Sequence, residues 1–178
     1  TRELHIGLLG FGTVGTGVVK HLHRNTELIA ARTGVKPMIT RIADLDITRD
    51  RGVNVDPELL TTDGDSVIND PDVDVIVELI GGTTVARRLI LQGLANNKPV
   101  ITANKALLAH HGAEIFAAAE ATGVDVYYEA SVAGGIPIIK VLREALAGNH
   151  IESIYGILNG TCNRSEERRV GKECATGC

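Results

Sequence analysis

The sequence predicts an α/β fold in which a doubly wound parallel sheet is followed by the start of a second, α+β domain. Short apolar segments alternate with longer helical segments, and parallel neighbours in a sheet need such helical crossovers. Hydrophobic residues make up 44% of the 178 residues, but aromatic residues only 3%, and Trp is absent. The core is therefore aliphatic, as is typical of buried parallel strands covered by helices.

The first elements are predicted in the order strand, helix, strand. Residues 4–9 form a short apolar run that indicates a buried strand, and residues 14–31 have helical character. Residues 38–44 predict the second strand. A polar loop that contains Arg49 and Arg51 follows it.

The same alternation continues through the middle of the chain. Val85, Leu89 and Leu94 are predicted to form the apolar face of one helix, and a bend is expected near Gly112 in the next, which Gly123 ends. The predicted elements are a strand at 73–79, a helix at 84–96, a strand at 100–102, a helix at 106–121 and a strand at 125–129.

Beyond this sheet the sequence predicts the beginning of another domain. A helix at 136–147 with Pro137 in its first turn precedes a strand at 151–158 and a turn at 159–161. We therefore expect one domain at 1–135 and the start of a second domain at 136–163. Residues 164–178 are densely charged, predict no ordered structure and resemble a cloning-derived tail.

A glycine-rich turn joins the first strand to the first helix. Gly10 allows a tight bend, Gly12 leaves room for a pyrophosphate, and Gly15 allows close packing of helix on strand. The helix N-terminus offers free N–H groups and a positive dipole end to the anion. The turn predicts a Rossmann-type site for NAD or NADP, with contacts from Gly10, Phe11, Gly12, Thr13, Val14 and Gly15. The Gly-Lys-Ser/Thr ending of a nucleoside-triphosphate loop is absent.

Asp44 at the end of the second strand is predicted to bind the ribose hydroxyls of the adenosine, which favours NAD. Three nearby arginines leave NADP open, because any of them could bind a 2′-phosphate: Arg41, Arg49 and Arg51. The alternative for Asp44 is a solvated strand end.

Charge and hydropathy exclude other classes of function. The formal net charge is −4 without a long basic block in the main body, so we expect no nucleic-acid partner. The apolar runs are shorter than the about 20 residues of a membrane span, and we expect a cytoplasmic protein. Cys162, Cys174 and Cys178 match neither a zinc site nor a disulfide framework and are predicted to be free thiols.

Five stretches together resemble homoserine dehydrogenase. They are residues 7–15 (GLLGFGTVG), 78–82 (ELIGG), 98–105 (KPVITANK), 128–137 (YEASVAGGIP) and 156–161 (GILNGT). The resemblance implies NAD(P)-dependent oxidation of L-homoserine to L-aspartate 4-semialdehyde, which in reverse serves threonine and methionine biosynthesis. It also implies that residues 1–135 are a dinucleotide-binding domain, that residues 136–163 begin a substrate and dimerisation domain, and that the full-length protein is a homo-oligomer.

The resemblance also implies further cofactor contacts. Gly81 and Gly82 end a strand at the carboxyl edge of the sheet, where a ligand crevice opens and missing side chains allow close approach. Lys105 is predicted at the start of a helix beside this crevice, and the family places it near the nicotinamide. Gly156 is the position at which the family's chain passes the nicotinamide again.

A sodium ion is the second ligand that the resemblance implies, held by the Glu129 side chain and by carbonyls of Val132, Gly134 and Ile136. A carboxylate with several carbonyls suits a hard cation. From the residues alone, Glu129 is equally a buried capping residue.

The catalytic acid and base stay unassigned. In the family, the substrate-binding acids and the proton-donating lysine belong to a region that we expect after residue 163. This chain is therefore expected to be an inactive fragment.

Two alternative functions remain. One is an oxidoreductase of the glucose-fructose oxidoreductase type, favoured by Lys98-Pro99 but not by residues 129–137. The other is a non-catalytic NAD-binding module.

Overall fold

A computed structural model describes residues 1–156 of the chain. They contain one six-stranded sheet in which every neighbouring pair of strands is parallel. The strands are β1 (Arg2–Leu9), β2 (Val35–Ala43), β3 (Leu60–Thr61), β4 (Val75–Glu78), β5 (Val100–Thr102) and β6 (Val126–Tyr127). The helices are α1 (Thr13–Thr33), α2 (Gly64–Asn69), α3 (Thr84–Ala95), α4 (Lys105–Thr122) and the short α5 (Ile138–Lys140).

The strand order β3-β2-β1-β4-β5-β6 confirms the predicted doubly wound sheet. The chain moves outward from β1 to β3 and then returns to build the other half of the sheet on the opposite side of β1. The strand order therefore reverses between β1 and β4, and a crevice opens there at the carboxyl ends of the strands. This reversal positions the candidate site.

Aliphatic side chains fill both faces of the sheet, as the composition predicts. One buried cluster includes Leu9, Ile76, Leu89, Ile90 and Leu94. The other includes Leu8, Val19, Ile42 and Val77, together with the aromatic ring of Phe11.

Most predicted elements are confirmed, with shifts of one to three residues at their ends. The strand predicted at 100–102 is β5 without a shift, and the helix predicted at 84–96 is α3. Gly123 ends α4 in the left-handed conformation, with φ of 68°. Missing from the sequence prediction were a 3-10 turn at Pro57–Leu59 and the short elements β3 and α2. They are too short to show a hydrophobic period.

Three local predictions were wrong. Helix α4 runs without a break through Gly112, where an added Cβ would make only an ordinary contact with the Phe116 ring, at 3.7 Å. Val85 is 52% exposed, whereas Leu89 and Leu94 are buried as predicted. The strand predicted at 125–129 ends at Tyr127, and Glu129 instead begins a 3-10 turn, Glu129–Ser131.

The chain forms two compact units, Thr1–Val132 and a second unit that begins at Ala133. In the second unit Pro137 precedes α5, and a π-helical turn at Val141–Ala145 continues it, so the helix predicted at 136–147 is present in shorter form. The strand predicted at 151–158 was wrong for residues 151–156, which form no strand. The described part of this unit contains no strand with which residues 151–156 could pair.

Several predictions lie outside the described residues. They are the end of that strand at 157–158, the turn at 159–161, the three cysteines and the charged segment at 164–178. Within residues 1–156, no helix combines the length and the apolar character that crossing a membrane requires.

Candidate cofactor-binding site

Two glycines of the turn between β1 and α1 are required by the fold. Gly10 has φ of +98°, and a Cβ there would lie 2.7 Å from the backbone of Leu79. A Cβ on Gly15 would lie 2.1 Å from the carbonyl oxygen of Gly10. The first glycine thus permits the bend beside β4, and the second permits the close packing of α1 on the turn.

Gly12 differs from these two, because a Cβ there would meet nothing within 4 Å. It is the N-cap of α1, makes no side-chain cap, and is followed by a first turn without acidic residues. Thr13 and Val14 are exposed in this turn. Helix geometry leaves the first N–H groups without intrahelical acceptors. The N-terminus of α1 therefore offers donors, a positive dipole end and open space to an anion.

Asp44 connects this turn to the end of β2. The Phe11 N–H donates to Asp44 Oδ2 at 2.5 Å, and the Phe11 side chain is only 4% exposed. Asp44 Oδ1 accepts from the Asp46 N–H at 2.9 Å and from Arg51 Nη2 at 3.1 Å. The Asp44 carboxylate thus already holds the glycine turn in place, and the Phe11 N–H is engaged by it rather than free for a ligand.

The structure separates the three arginines that were considered for a 2′-phosphate. Arg41 pairs with Asp70 at 2.9 Å and also donates to the Glu58 carbonyl. Arg51 instead lies beside Asp44, with its guanidinium carbon 5.1 Å from the centroid of the Phe11 ring. Its Nε is buried and has no hydrogen-bond partner among the residues that the structure describes. Arg51 thus contacts Asp44, the predicted ribose ligand, whereas Arg41 is paired with Asp70. The backbone N–H of Arg49 donates to Asp46 Oδ1 at 3.2 Å.

A cleft of about 660 Å³ runs along the carboxyl ends of the strands within the first unit. Gly10, Gly12 and Asp44 line one side of it, and Gly81 and Gly82 line the other. Gly82 has φ of +83°, and a Cβ at either glycine of this second pair would meet nothing within 4 Å. The cleft therefore brings together both glycine motifs and the predicted ribose ligand.

The apolar side chains that line this cleft are accessible to a ligand. Leu45 is 94% exposed and Val85 is 52% exposed. Such surfaces suit the flat faces of an adenine ring, since ligand sites combine apolar walls with a few placed polar groups.

A smaller cleft of about 280 Å³ adjoins the other side of the glycine turn. Val14, Gly81, Asn104 and Lys105 are among the residues that line it. Lys105 is the exposed first residue of α4, and the Asn104 side chain caps this helix by accepting from the Leu107 N–H at 3.0 Å. The predicted position of Lys105, on a helix start beside the crevice, is confirmed.

Glu78 is the residue that the sequence analysis missed. It is fully buried, at 0% exposure, at the end of β4. Burial raises the pKa of this carboxyl group, while hydrogen bonds from Thr102, the Ile80 backbone and Asn104 oppose the rise. The signal was present in the sequence, because Glu78 interrupts an otherwise apolar run at residues 75–80.

The predicted sodium ligands are divided between the two units. Glu129 and Val132 belong to the first unit, and both are half-buried. Gly134 and Ile136 belong to the second, where the Ile136 carbonyl accepts a 2.8 Å hydrogen bond from the Ile138 N–H. No cluster of three or more His, Cys, Asp or Glu side chains suited to a metal is found among residues 1–156. Gly156 is exposed in an irregular segment of the second unit.

Comparisons with known proteins agree on one family. The family described as "homoserine dehydrogenase, NAD binding domain" matches residues 10–129, and the one described as "homoserine dehydrogenase" matches residues 137–164. A homoserine dehydrogenase of Synechocystis is 49% identical over 89% of this chain, and one of Bacillus subtilis is 43% identical over 91%. The chain spans only 36% and 37% of the lengths of these relatives.

A solved structure gives the same result at the level of the fold. The crystal structure of a homoserine dehydrogenase from Thiobacillus denitrificans superposes with a TM-score of 0.82 at 50% identity. The match covers 90% of this chain and 37% of that one.

Proposed function

This chain belongs to the homoserine dehydrogenase family, and on that premise we propose that its first unit holds NAD or NADP while L-homoserine is oxidised to L-aspartate 4-semialdehyde. Its match to the NAD-binding domain of the family supports binding of a nicotinamide dinucleotide. The substrate, the direction of reaction and the role in threonine and methionine biosynthesis are proposals for the whole protein, of which the chain spans about a third.

The observation that carries the proposal is the open N-terminus of α1. A pyrophosphate at Gly12 would accept hydrogen bonds from the first-turn N–H groups, including those of Thr13 and Val14, in space that residues 1–156 leave open. Gly10 and Gly15 act indirectly, because they allow the chain to bring this helix end to the mouth of the crevice. The N–H of Phe11 is not available to the pyrophosphate, because it is bound to Asp44. Phe11 therefore supports the turn through its buried side chain.

At the adenosine end, Asp44 supports NAD. Of its two oxygens, one accepts a single hydrogen bond and the other accepts two, so lone-pair positions remain for a ribose hydroxyl. Asp63, Asp65 and Arg88 line the same cleft. Arg88 pairs with Asp65, so it is Asp63 that adds a negative charge, which disfavours a 2′-phosphate. Arg51 is the group that would favour NADP, but it is already paired with Asp44.

At the nicotinamide end, we assign Gly81 and Lys105 to the walls of the smaller cleft, and Gly82 to the adjoining wall of the larger cleft. When bound, NAD(P) supplies the hydride acceptor. From its position in the lining of this cleft, the ammonium of Lys105 would orient the amide of a nicotinamide or the oxygen of a substrate. Gly156 remains a predicted contact of the second unit. The general acid and base remain unassigned.

A sodium ion is a further proposal, for which only the donor chemistry gives support. Glu129 supplies a carboxylate, and carbonyl oxygens have two lone pairs, so the hydrogen bond accepted by Ile136 leaves room for coordination. The proposed ligands are those that the family resemblance implies: Glu129, Val132, Gly134 and Ile136.

The whole protein is proposed to be a cytoplasmic homo-oligomer. An oxidoreductase of the glucose-fructose oxidoreductase type is not favoured, because the family matches cover residues 10–129 and 137–164. Nothing further supports a non-catalytic NAD-binding module.

The nicotinamide assignment can be tested with two ligands and two variants. NADH and ADP-ribose share the adenosine and pyrophosphate groups, but only NADH carries a nicotinamide. We expect Lys105→Ala to weaken binding of NADH more than binding of ADP-ribose, as measured by titration calorimetry. Lys36→Ala is the matched control, since Lys36 lies on β2 and pairs with Glu27 at 3.1 Å. Equal losses for both ligands would remove Lys105 from the nicotinamide end, and a wild type that binds neither ligand would refute the proposed function.

A further inference from the structure

We propose that Glu78 is a positioning residue for the nicotinamide end of the site, because its buried carboxylate joins the two walls of the smaller cleft. The turn at residues 79–82 supplies one wall through residues 79–81, and the start of α4 at residues 103–107 supplies the other through residues 103–106. The inference rests on the proposed function in so far as this cleft receives the nicotinamide. It adds a residue to which neither the family resemblance nor the glycine motifs assign a role.

The carboxylate of Glu78 makes one hydrogen bond to each wall. Its Oε1 accepts from the Ile80 N–H at 2.7 Å, and its Oε2 accepts from the Thr102 hydroxyl at 2.7 Å. The bond to Thr102 is buried, because Glu78 and Thr102 are each 0% exposed, and the bond to the Ile80 N–H is partly buried. Bonds to a charged group are stronger than neutral ones, and removing a partner inside a protein leaves the other group unsatisfied.

Thr102 and Asn104 extend these bonds into a closed ring. The Thr102 hydroxyl oxygen accepts from the Asn104 N–H at 3.0 Å. The Asn104 side-chain amide then donates back to the first wall, to the carbonyls of Gly82 at 2.7 Å and Ile80 at 3.2 Å. The oxygen of the same amide caps α4 at Leu107. The ring therefore fixes the glycine pair relative to the helix that begins with Lys105.

A purely structural role does not explain a carboxylate at this position. Within residues 1–156 the ion pairs do not include Glu78, so its charge is balanced only by dipoles. Burial of such a charge opposes folding, and an apolar residue would pack the sheet at less cost. The four apolar neighbours before and after it on the chain show that alternative: Ile76, Val77, Leu79 and Ile80. The geometry indicates that the carboxylate compensates for this cost by fixing the two walls of the cleft relative to each other.

The first test compares two substitutions at Glu78 with a packing control. Glu78→Leu removes both acceptors, whereas Glu78→Gln keeps an acceptor for Ile80 and can donate to Thr102. Ile76→Val is the control, because it removes one buried methyl group from the same strand. Calorimetric titrations with NADH and ADP-ribose report the nicotinamide and adenosine ends separately.

We expect Glu78→Leu to lower the affinity for NADH on the order of tenfold while changing that for ADP-ribose much less, because two hydrogen bonds at the nicotinamide end are lost. Glu78→Gln should recover most of the NADH affinity, and Ile76→Val should retain it. Equal losses for NADH and ADP-ribose in Glu78→Leu, or an equal loss of NADH affinity in Ile76→Val, would overturn the inference.

A second measurement does not depend on the cofactor and covers the case in which Glu78→Leu fails to fold. Amide hydrogen exchange is measured in wild type, Glu78→Gln and Thr102→Val. In Thr102→Val we expect faster exchange in both wall segments, residues 79–82 and 103–107, while β1 exchanges as in wild type. Unchanged exchange at residues 79–82 and 103–107 would refute the inference alone. Absence of NADH binding by the wild type would refute the proposed function, and with it the ligand that the ring is proposed to serve.

Discussion

Replacing three glycines of one turn and helix by alanine separates the roles that the structure gives them. Gly12, Gly15 and Gly17 all lie at or near the start of α1, and each change adds the same methyl group. At Gly15 the added Cβ would be 2.1 Å from the Gly10 carbonyl oxygen, whereas at Gly12 and Gly17 it would meet nothing within 4 Å. The three variants therefore differ mainly in what surrounds the new atom.

The expected magnitudes follow from these distances. An ordinary contact begins near 3.4 Å, so the Gly15 variant must shift backbone by about 1 Å, and overpacking of that kind costs about 1–3 kcal/mol. Gly17→Ala should stabilise by about 0.5–1 kcal/mol, because alanine loses less conformational freedom in a helix. A chain of this size changes its Tm by roughly 2–4 °C per kcal/mol. The two variants should thus melt on opposite sides of the wild type.

Gly12→Ala completes the series, because we expect it to change the affinity for the ligand rather than the stability of the fold. We expect its free energy of unfolding to stay within about 1 kcal/mol of wild type, since the new methyl group only replaces glycine at an N-cap. Its affinity for NADH should fall, and more strongly in Gly12→Val, because the side chain occupies the space proposed for the pyrophosphate. Thermal melting and calorimetric titration provide the two readouts. Unchanged NADH affinity in folded Gly12→Val, or Gly15→Ala as stable as Gly17→Ala, would refute this assignment of the turn.

Three other outcomes are expected. Asp44→Ser should raise the affinity for NADP relative to NAD, because a negative charge at the ribose end is removed; a wild type that already prefers NADP in the same titrations would contradict this. Since burial raises the pKa of Glu78 above its usual 4.5, wild type should lose stability relative to Glu78→Gln as the pH rises from about 4.5 through the raised value. Urea unfolding at several pH values measures that difference, which would stay constant if the carboxyl were unperturbed. The 178-residue chain should bind NADH yet produce none from NAD and homoserine, because positioning can contribute about 7–11 kcal/mol and acid–base catalysis 10²–10⁴-fold, and no described residue is assigned to either. Clear homoserine-dependent absorbance of NADH would show that the catalytic groups lie within this chain.

The fold could be predicted where local patterns are long or sharply bounded. The strand β5 lies between Pro99 and the cap residue Asn104, and its bounds were predicted without error. In contrast, β3 has two residues and α2 has six, so neither spans a full hydrophobic repeat. The strand expected after residue 150 shows the opposite error, because an apolar pattern forms a strand only when another strand is available to pair with it.

The features of the site could likewise be predicted where they depend on neighbouring residues, but not where they depend on residues far apart in the sequence. The three glycine roles follow from short-range sterics, and the structure agrees with each: a positive φ at Gly10, open space at Gly12 and close packing at Gly15. The partners of the two acids could not be predicted, because Asp44 binds an N–H 33 residues away and Glu78 binds a hydroxyl 24 residues away. Such pairs depend on the strand order, which the sequence pattern does not specify in detail.

Asp44 and Glu78 stand at equivalent points on either side of β1, one just after β2 and the other at the end of β4. Each binds a backbone N–H of a glycine-containing turn, Asp44 at Phe11 and Glu78 at Ile80. These bonds remove two donors from the crevice but hold the turns that shape it. The free donors at the start of α1 are thereby presented to an anion in a fixed direction. In this crevice, acidic side chains act first on the protein's own backbone, and the binding surface is what the fixed backbone leaves exposed.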